Sequence, residues 1–115
     1  IRYRLVGSEM CIRDRYRAPL VIVLVSDTKE HPKVPVIEQQ LSTAAAGQNM
    51  LLAFHDMGFA GIWRTGKFSF NKEISAELDL KQSEIVIGYL YIGTADGKAK
   101  KIPDLKTKDF VTIWK

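Results

Sequence analysis

Residues 20–25, Leu20-Val21-Ile22-Val23-Leu24-Val25, form an unbroken aliphatic run that Pro19 opens. An element with one wet face alternates apolar and polar side chains at its own period, whereas this run leaves neither face for water. It therefore reads as a strand buried on both sides, the interior strand of a sheet covered by helices. A second run, Ile85-Val86-Ile87-Gly88-Tyr89-Leu90-Tyr91-Ile92 within residues 84–94, reads as another interior strand. Gly88 inside it signals close approach to the backbone, either by a ligand or by a packed helix.

What lies between the two runs sets the layers. Residues 26–35 carry two prolines and four charges, a loop in which His31 reads as a solvated turn residue. Residues 36–57 contain no proline and a single glycine, Gly47, and their composition favours helix. Ile37, Leu41, Ala44 and Leu51 form one stripe, and Ala46, Met50, Ala53 and Met57 a second. A helix apolar around so much of its circumference is expected to be buried. The small residues 42–47 permit close approach by another helix or a sheet. A chain of 115 residues has little with which to surround such a helix, so a partner subunit is inferred. Gly58 stands where a glycine ends a helix, with apolar Phe59 next. Asn71 can cap a short helix through Leu80 with Ile74 and Leu78 inward. Strand, long helix, segment, short helix and strand make an α/β (α+β) layered sheet.

Charge and composition exclude several classes. The net charge is +4, and half of it sits in residues 1–16, where Arg2, Arg4, Arg13 and Arg15 face Glu9 and Asp14. No clustered basic face with interleaved aromatics remains, so no nucleic-acid partner is expected. Lys98, Lys100 and Lys101 read as a solvated loop. The aliphatic runs are too short to span a bilayer, and no membrane association is expected. A lone Cys11 cannot form an internal disulfide, which fits a reducing, cytoplasmic setting. Two histidines and one cysteine give zinc no ligand set, so no metal is expected. No nucleophile with a matching base stands out, and His55 at a helix end is accounted for by the helix dipole. No catalytic side chain is therefore assigned. Phe110-Val111-Thr112-Ile113-Trp114 is apolar enough to need covering, which packing along another subunit would provide.

Residues 1–16 look foreign to the rest. Five of the six arginines fall in residues 1–17, and no helical or strand period emerges there. The string from Leu5 to Arg15 is similar to read-through of sequencing adaptors at the ends of unrelated translated sequences. The expectation is a segment without function; a mobile basic arm is the other reading. The domain proper is taken as residues 17–115.

The stretch most suggestive of chemistry is Gly58-Phe59-Ala60-Gly61-Ile62-Trp63-Arg64-Thr65-Gly66, in which Arg64 is the only arginine after Arg17. Glycines let a backbone approach a ligand, and an aromatic ring beside a guanidinium suits a planar, anionic cofactor. The same residues also describe a helix cap followed by a strand whose Trp63 fills the core.

Arg17-Ala18-Pro19 with its strand, Lys33-Val34-Pro35 leading to Glu38-Gln39, residues 58–66, and Ile87-Gly88-Tyr89-Leu90-Tyr91-Ile92-Gly93-Thr94 occur in an order that resembles the FMN-dependent nitroreductase family, in its short bacterial NAD(P)H nitroreductase branch. The resemblance implies a nitroreductase-like mixed sheet flanked by helices in an intertwined homodimer, with FMN at the interface. It implies that Trp63, Arg64 and Thr65 lie along the flavin, a backbone N–H near Arg64 or Thr65 donating toward its N5. Ala53, Phe54, His55, Asp56, Met57 and Gly58 match the stretch that takes the nicotinamide cofactor. The reaction implied is electron transfer from NAD(P)H through FMN to a small-molecule acceptor, nitroaromatic or quinone-like. The family's arginine-and-serine motif for the FMN phosphate has no counterpart in residues 1–16, so the chain reads as an incomplete fragment. The alternative is a non-catalytic α/β dimerisation fragment without flavin.

Overall fold

Both apolar runs become strands. A computed structural model describes residues 18–66, 69, 72–97 and 101–114. Expectations placed on residues 1–16, Asn71, Lys98 and Lys100 lie outside the described residues. The elements in order are β1 (Leu20–Asp27), α1 (Val36–Asp56), β2 (Ala60–Arg64), α2 (Lys72–Glu77) and β3 (Glu84–Gly93), followed by one 3-10 turn at Thr107–Asp109. The three strands pair antiparallel in the order β1-β3-β2.

α1 covers one face of this sheet and α2 the other. On the α1 side Ile22, Leu24, Leu90 and Ile92 are buried, with Leu20, Met50, Leu51, Phe54, Trp63 and Ile87 packed against them. On the α2 side Val23, Leu78, Val86 and Tyr89 are buried, with Val21, Val25, Ile74, Leu80 and Tyr91 around them. Leu24 and Leu90 are the largest fully buried side chains. Each such leucine contributes about 1.5–3 kcal/mol by leaving water. Leu78 and Ile74 point inward as expected.

A bulge divides β1 from β3. Leu24 pairs with Gly88 but Val25 pairs with Val86, so Ile87 has no opposite residue on β1. The extra residue reverses the alternation: Val86 joins Tyr89 on the α2 side, while Ile87 packs on the α1 side.

One expectation is corrected among the described residues. β1 is buried on both faces but is not interior, because among the described residues it pairs only with β3. An aliphatic run reports what covers the faces of a strand and carries no information about its hydrogen-bonded edges. For α1, expected to be buried with the help of a partner subunit, the single chain buries Gly47 and leaves Ile37, Leu41 and Leu52 each more than half exposed. The sheet covers only the strip from Gly47 through Met50 and Leu51 to Phe54, and the apolar remainder faces outward.

Local polar contacts hold the connections. The Gln39 side chain closes the loop before α1, accepting from Lys29 N–H (2.9 Å) and donating to the carbonyls of Lys29 (2.8 Å) and Val34 (3.0 Å). His31 is exposed, and its Nδ1 accepts from Lys33 N–H at 3.2 Å, which is the turn role expected.

Candidate functional site

The candidate stretch is built around β2, and its entry is fixed by how α1 ends. Gly58 N–H donates to His55 O (3.0 Å) and Phe59 N–H to Phe54 O (2.9 Å), with Gly58 at φ +85°. This is a Schellman stop, completed by its apolar contact: the Phe54 and Phe59 rings meet edge-on, centroids 6.4 Å apart. The glycine cap read from the sequence is therefore present, with Phe59 in the role its position implied.

β2 then runs back beneath α1. Gly61 lies against Leu51 and Ile92, and Cβ atoms there would stand 2.6 and 2.9 Å from their methyl groups. Two residues on, the Trp63 indole is seated across two glycines. A Cβ on Gly88 would overlap Trp63 Nε1, and one on Gly47 would stand 2.8 Å from Trp63 Cζ3. Gly88 is thus approached closely, as expected, but by the side chain of a neighbouring strand rather than by a ligand or a helix. The Trp63 side chain belongs to the sheet–helix layer, as in the core-filling reading.

Strand alternation then places Ile62 and Arg64 on the opposite face, across from Tyr91 and Tyr89. Arg64 and Thr65 are exposed. Among the described residues the outer edge of β2 pairs with no strand, so part of its backbone polar groups faces outward. Gly66 (φ +63°) follows Thr65, and Gly58 precedes the strand; among the described residues a Cβ at either would have no atom within 4 Å. Open space therefore flanks both ends of the edge.

Of the residues matched to nicotinamide binding, Ala53, His55, Asp56, Met57 and Gly58 are exposed, while Phe54 turns to the core and to Phe59. Of this group, Phe54 packs on the same buried cluster as Trp63, whereas the turn at Met57 and Gly58 lies at the other end of β2 from Arg64 and Thr65. The strand between them is about 16 Å long at 3.3 Å per residue. Among the described residues no three His, Cys, Asp or Glu side chains cluster as a metal site, and no helix is long and apolar enough to cross a membrane.

Ser69 is a contributor that sequence reasoning missed. It is buried and its Oγ donates to Thr65 O at 2.8 Å, holding the backbone just beyond β2. Nothing in the residue order marks it, since one serine in a polar connector has no distinguishing pattern. The pairing of Gly47 with Gly88 was equally hidden, because the two meet only through Trp63.

Comparison with known proteins places this arrangement. Residues 14–94 match the model of the nitroreductase family. The Escherichia coli K12 protein YdjA, named as an NAD(P)H nitroreductase, is 35% identical over 102 residues, covering 86% of this chain and 55% of its own length. This chain therefore spans about half of that relative. A nitroreductase-like protein from Bacillus cereus superposes with a TM-score of 0.70 at 19% identity, covering 93% of this chain and 61% of its own. An FMN-dependent nitroreductase from Clostridium difficile R20291 gives a TM-score of 0.62 at 22% identity over 79% of this chain and 55% of its own. By the family match over residues 14–94 and the identity to YdjA, the chain belongs to the nitroreductase family.

Proposed function

We propose that this chain supplies one flank of the FMN site in an NAD(P)H-dependent oxidoreductase that acts on a nitroaromatic or quinone-like small molecule. The observation that carries the reading is the outward backbone edge of β2, which ends in exposed Arg64 and Thr65 beside the open space at Gly66. These residues fit one side of a planar, anionic group: backbone donors on an edge, an exposed guanidinium, and glycine where no side chain intrudes. FMN, when bound, supplies hydride acceptance from NAD(P)H and electron delivery to the acceptor.

The chain's own part is to bind and orient. Arg64 offers its guanidinium to negative charge, and an N–H at Arg64 or Thr65 offers a directional donor. Ala53, His55, Asp56, Met57 and Gly58 form the exposed turn proposed for the nicotinamide cofactor, with Phe54 anchoring that turn to the core. No side-chain nucleophile or acid–base pair is required. The proposed assembly is a homodimer in the cytoplasm, and the apolar outer face of α1 and the exposed residues 102–114 are the surfaces a second copy would cover. The same surfaces also fit the other reading, a flavin-less dimerisation fragment.

The test is reconstitution of the complete gene product with FMN. A yellow protein that oxidises NAD(P)H in the presence of a nitroaromatic or quinone is expected. A colourless dimer with no affinity for FMN would favour the dimerisation fragment and end the oxidoreductase reading.

A further inference from the structure

The seat of Trp63 has a role beyond filling space. Its six-membered ring reaches Gly47 on α1 and its five-membered ring reaches Gly88 on β3, so one side chain ties β2 to both neighbouring elements. On the far side of Arg64, Ser69 Oγ holds the Thr65 carbonyl. Arg64 is therefore pinned from both directions while its own side chain is exposed and its strand edge is unpaired among the described residues. An edge strand without such anchors frays and takes many positions, and ordering it would then be charged against ligand binding.

We infer that Trp63 is a positioning residue: through the Gly47–Gly88 seat it fixes the Arg64–Thr65 backbone in the geometry that receives the flavin. The inference rests on the FMN reading for its ligand, but the ordering of the backbone is a property of the protein alone. Trp63 acts through its indole inside the layer and through the backbone outside it. Ser69 is the second anchor of the same device.

The test uses the complete gene product in four forms: wild type, Trp63→Leu, Gly88→Ala, and the double variant. Gly88→Ala by itself drives a methyl group into the indole and is expected to lower the melting temperature. In the double variant the shorter leucine leaves room for that methyl group, so stability should recover toward that of wild type. FMN affinity should not recover, and a Kd at least tenfold weaker than wild type is expected in the double variant. Amide exchange at Arg64 and Thr65 in the apoprotein should be at least tenfold faster as well. Affinity that recovers together with stability would overturn the inference and leave Trp63 as a core side chain only. If wild type fails to bind FMN, the flavin reading falls, and exchange alone decides: faster exchange in the double variant supports the positioning role, and equal rates remove it.

Discussion

The Trp63 indole occupies the space in which a side chain at Gly88 would stand, and its other end rests on Gly47. One tryptophan thus explains two glycines in elements distant in sequence, one in the middle of a helix and one in the middle of the central strand. Both positions are ordinarily costly for glycine, by about 0.5–1 kcal/mol relative to alanine. That cost is offset by the close packing of β2, which carries the candidate site.

The sign of one substitution follows from this. Gly47→Ala should be stabilising by helix propensity, by about 1 kcal/mol. The new methyl group would, however, overlap Leu24 Cδ1 and press on Trp63. Overpacking of this kind costs about 1–3 kcal/mol, so the net change is expected to be destabilising. Urea denaturation should show a lower midpoint, whereas Ser42→Ala on the exposed part of the same helix should hold or raise it. A stabilised Gly47→Ala protein would mean the indole does not sit where the glycines leave room.

Helix ends give a paired expectation of opposite signs. α2 stops with Asp79 N–H on Ala76 O and Leu80 N–H on Ser75 O, the same stop as α1, but with an aspartate at φ +53° where α1 has glycine. Asp79→Gly removes left-handed strain and should stabilise by about 0.5–1 kcal/mol, the gain being trimmed by glycine's larger entropy when unfolded. Gly58→Ala meets nothing in space but imposes a side chain on φ +85°, and should destabilise by about 1–2 kcal/mol. Melting temperatures of the two variants should move apart in those directions.

Layer order and helix boundaries were legible because they follow from local rules. Consecutive apolar residues marked β1 and β3, and Gly58 with Phe59 marked the end of α1. Edge positions were not legible, since the six aliphatic residues of β1 would look the same beside one strand or two. The bulge at Ile87 was hidden as well: alternation along residues 85–92 assigns Val86 and Ile87 to the faces opposite those they occupy. At the site, the residues were legible as a stretch but their directions were not. Trp63 and Arg64 are neighbours in sequence, and strand geometry sends one into the layer and the other out of it. In the proposed site, a ring and a cation offered together to one ligand would therefore give way to a cation and a backbone edge, with the ring behind them.

Gln39 supplies a test of the loop before α1. Its amide donates to two carbonyls and accepts one N–H, a combination only an amide provides. Gln39→Glu keeps the shape and the acceptor but sets a carboxylate against the Lys29 and Val34 carbonyls. The expected loss is about 1–2 kcal/mol, greater than for surface substitutions in general. Faster proteolysis within residues 28–35 would accompany it, and unchanged cleavage would show that the loop is held by other means.

For the proposed flavin site, Arg64→Ala should weaken FMN binding about tenfold, the lower end of what a charge-assisted hydrogen bond contributes where the group is exposed. Arg64→Lys should recover only part of this, because a lysine offers a point charge without the planar fork. Titration of the apoprotein with FMN measures both. Stability should be unaffected in either variant, as Arg64 is exposed. Equal affinity in all three forms would remove Arg64 from the site.

The C-terminal residues test the proposed dimer. Trp114 is 92% exposed and Ile113 82% exposed, and Phe110 and Leu105 are each more than half exposed. An exposed apolar run of this kind is ordinarily a contact surface. In a Trp63→Phe background, with any tryptophan outside these 115 residues also replaced by phenylalanine, Trp114 reports on that surface alone. At concentrations where the complete gene product is dimeric, its emission should be blue-shifted and resistant to acrylamide, and dilution to monomer should shift it red. Removal of residues 102–114 should weaken self-association while leaving the sheet–helix core folded, since none of them belongs to either buried cluster. An emission maximum that stays at the solvent-exposed value in the dimer would show that the second copy does not cover this run, and the outer face of α1 would then have to supply the interface.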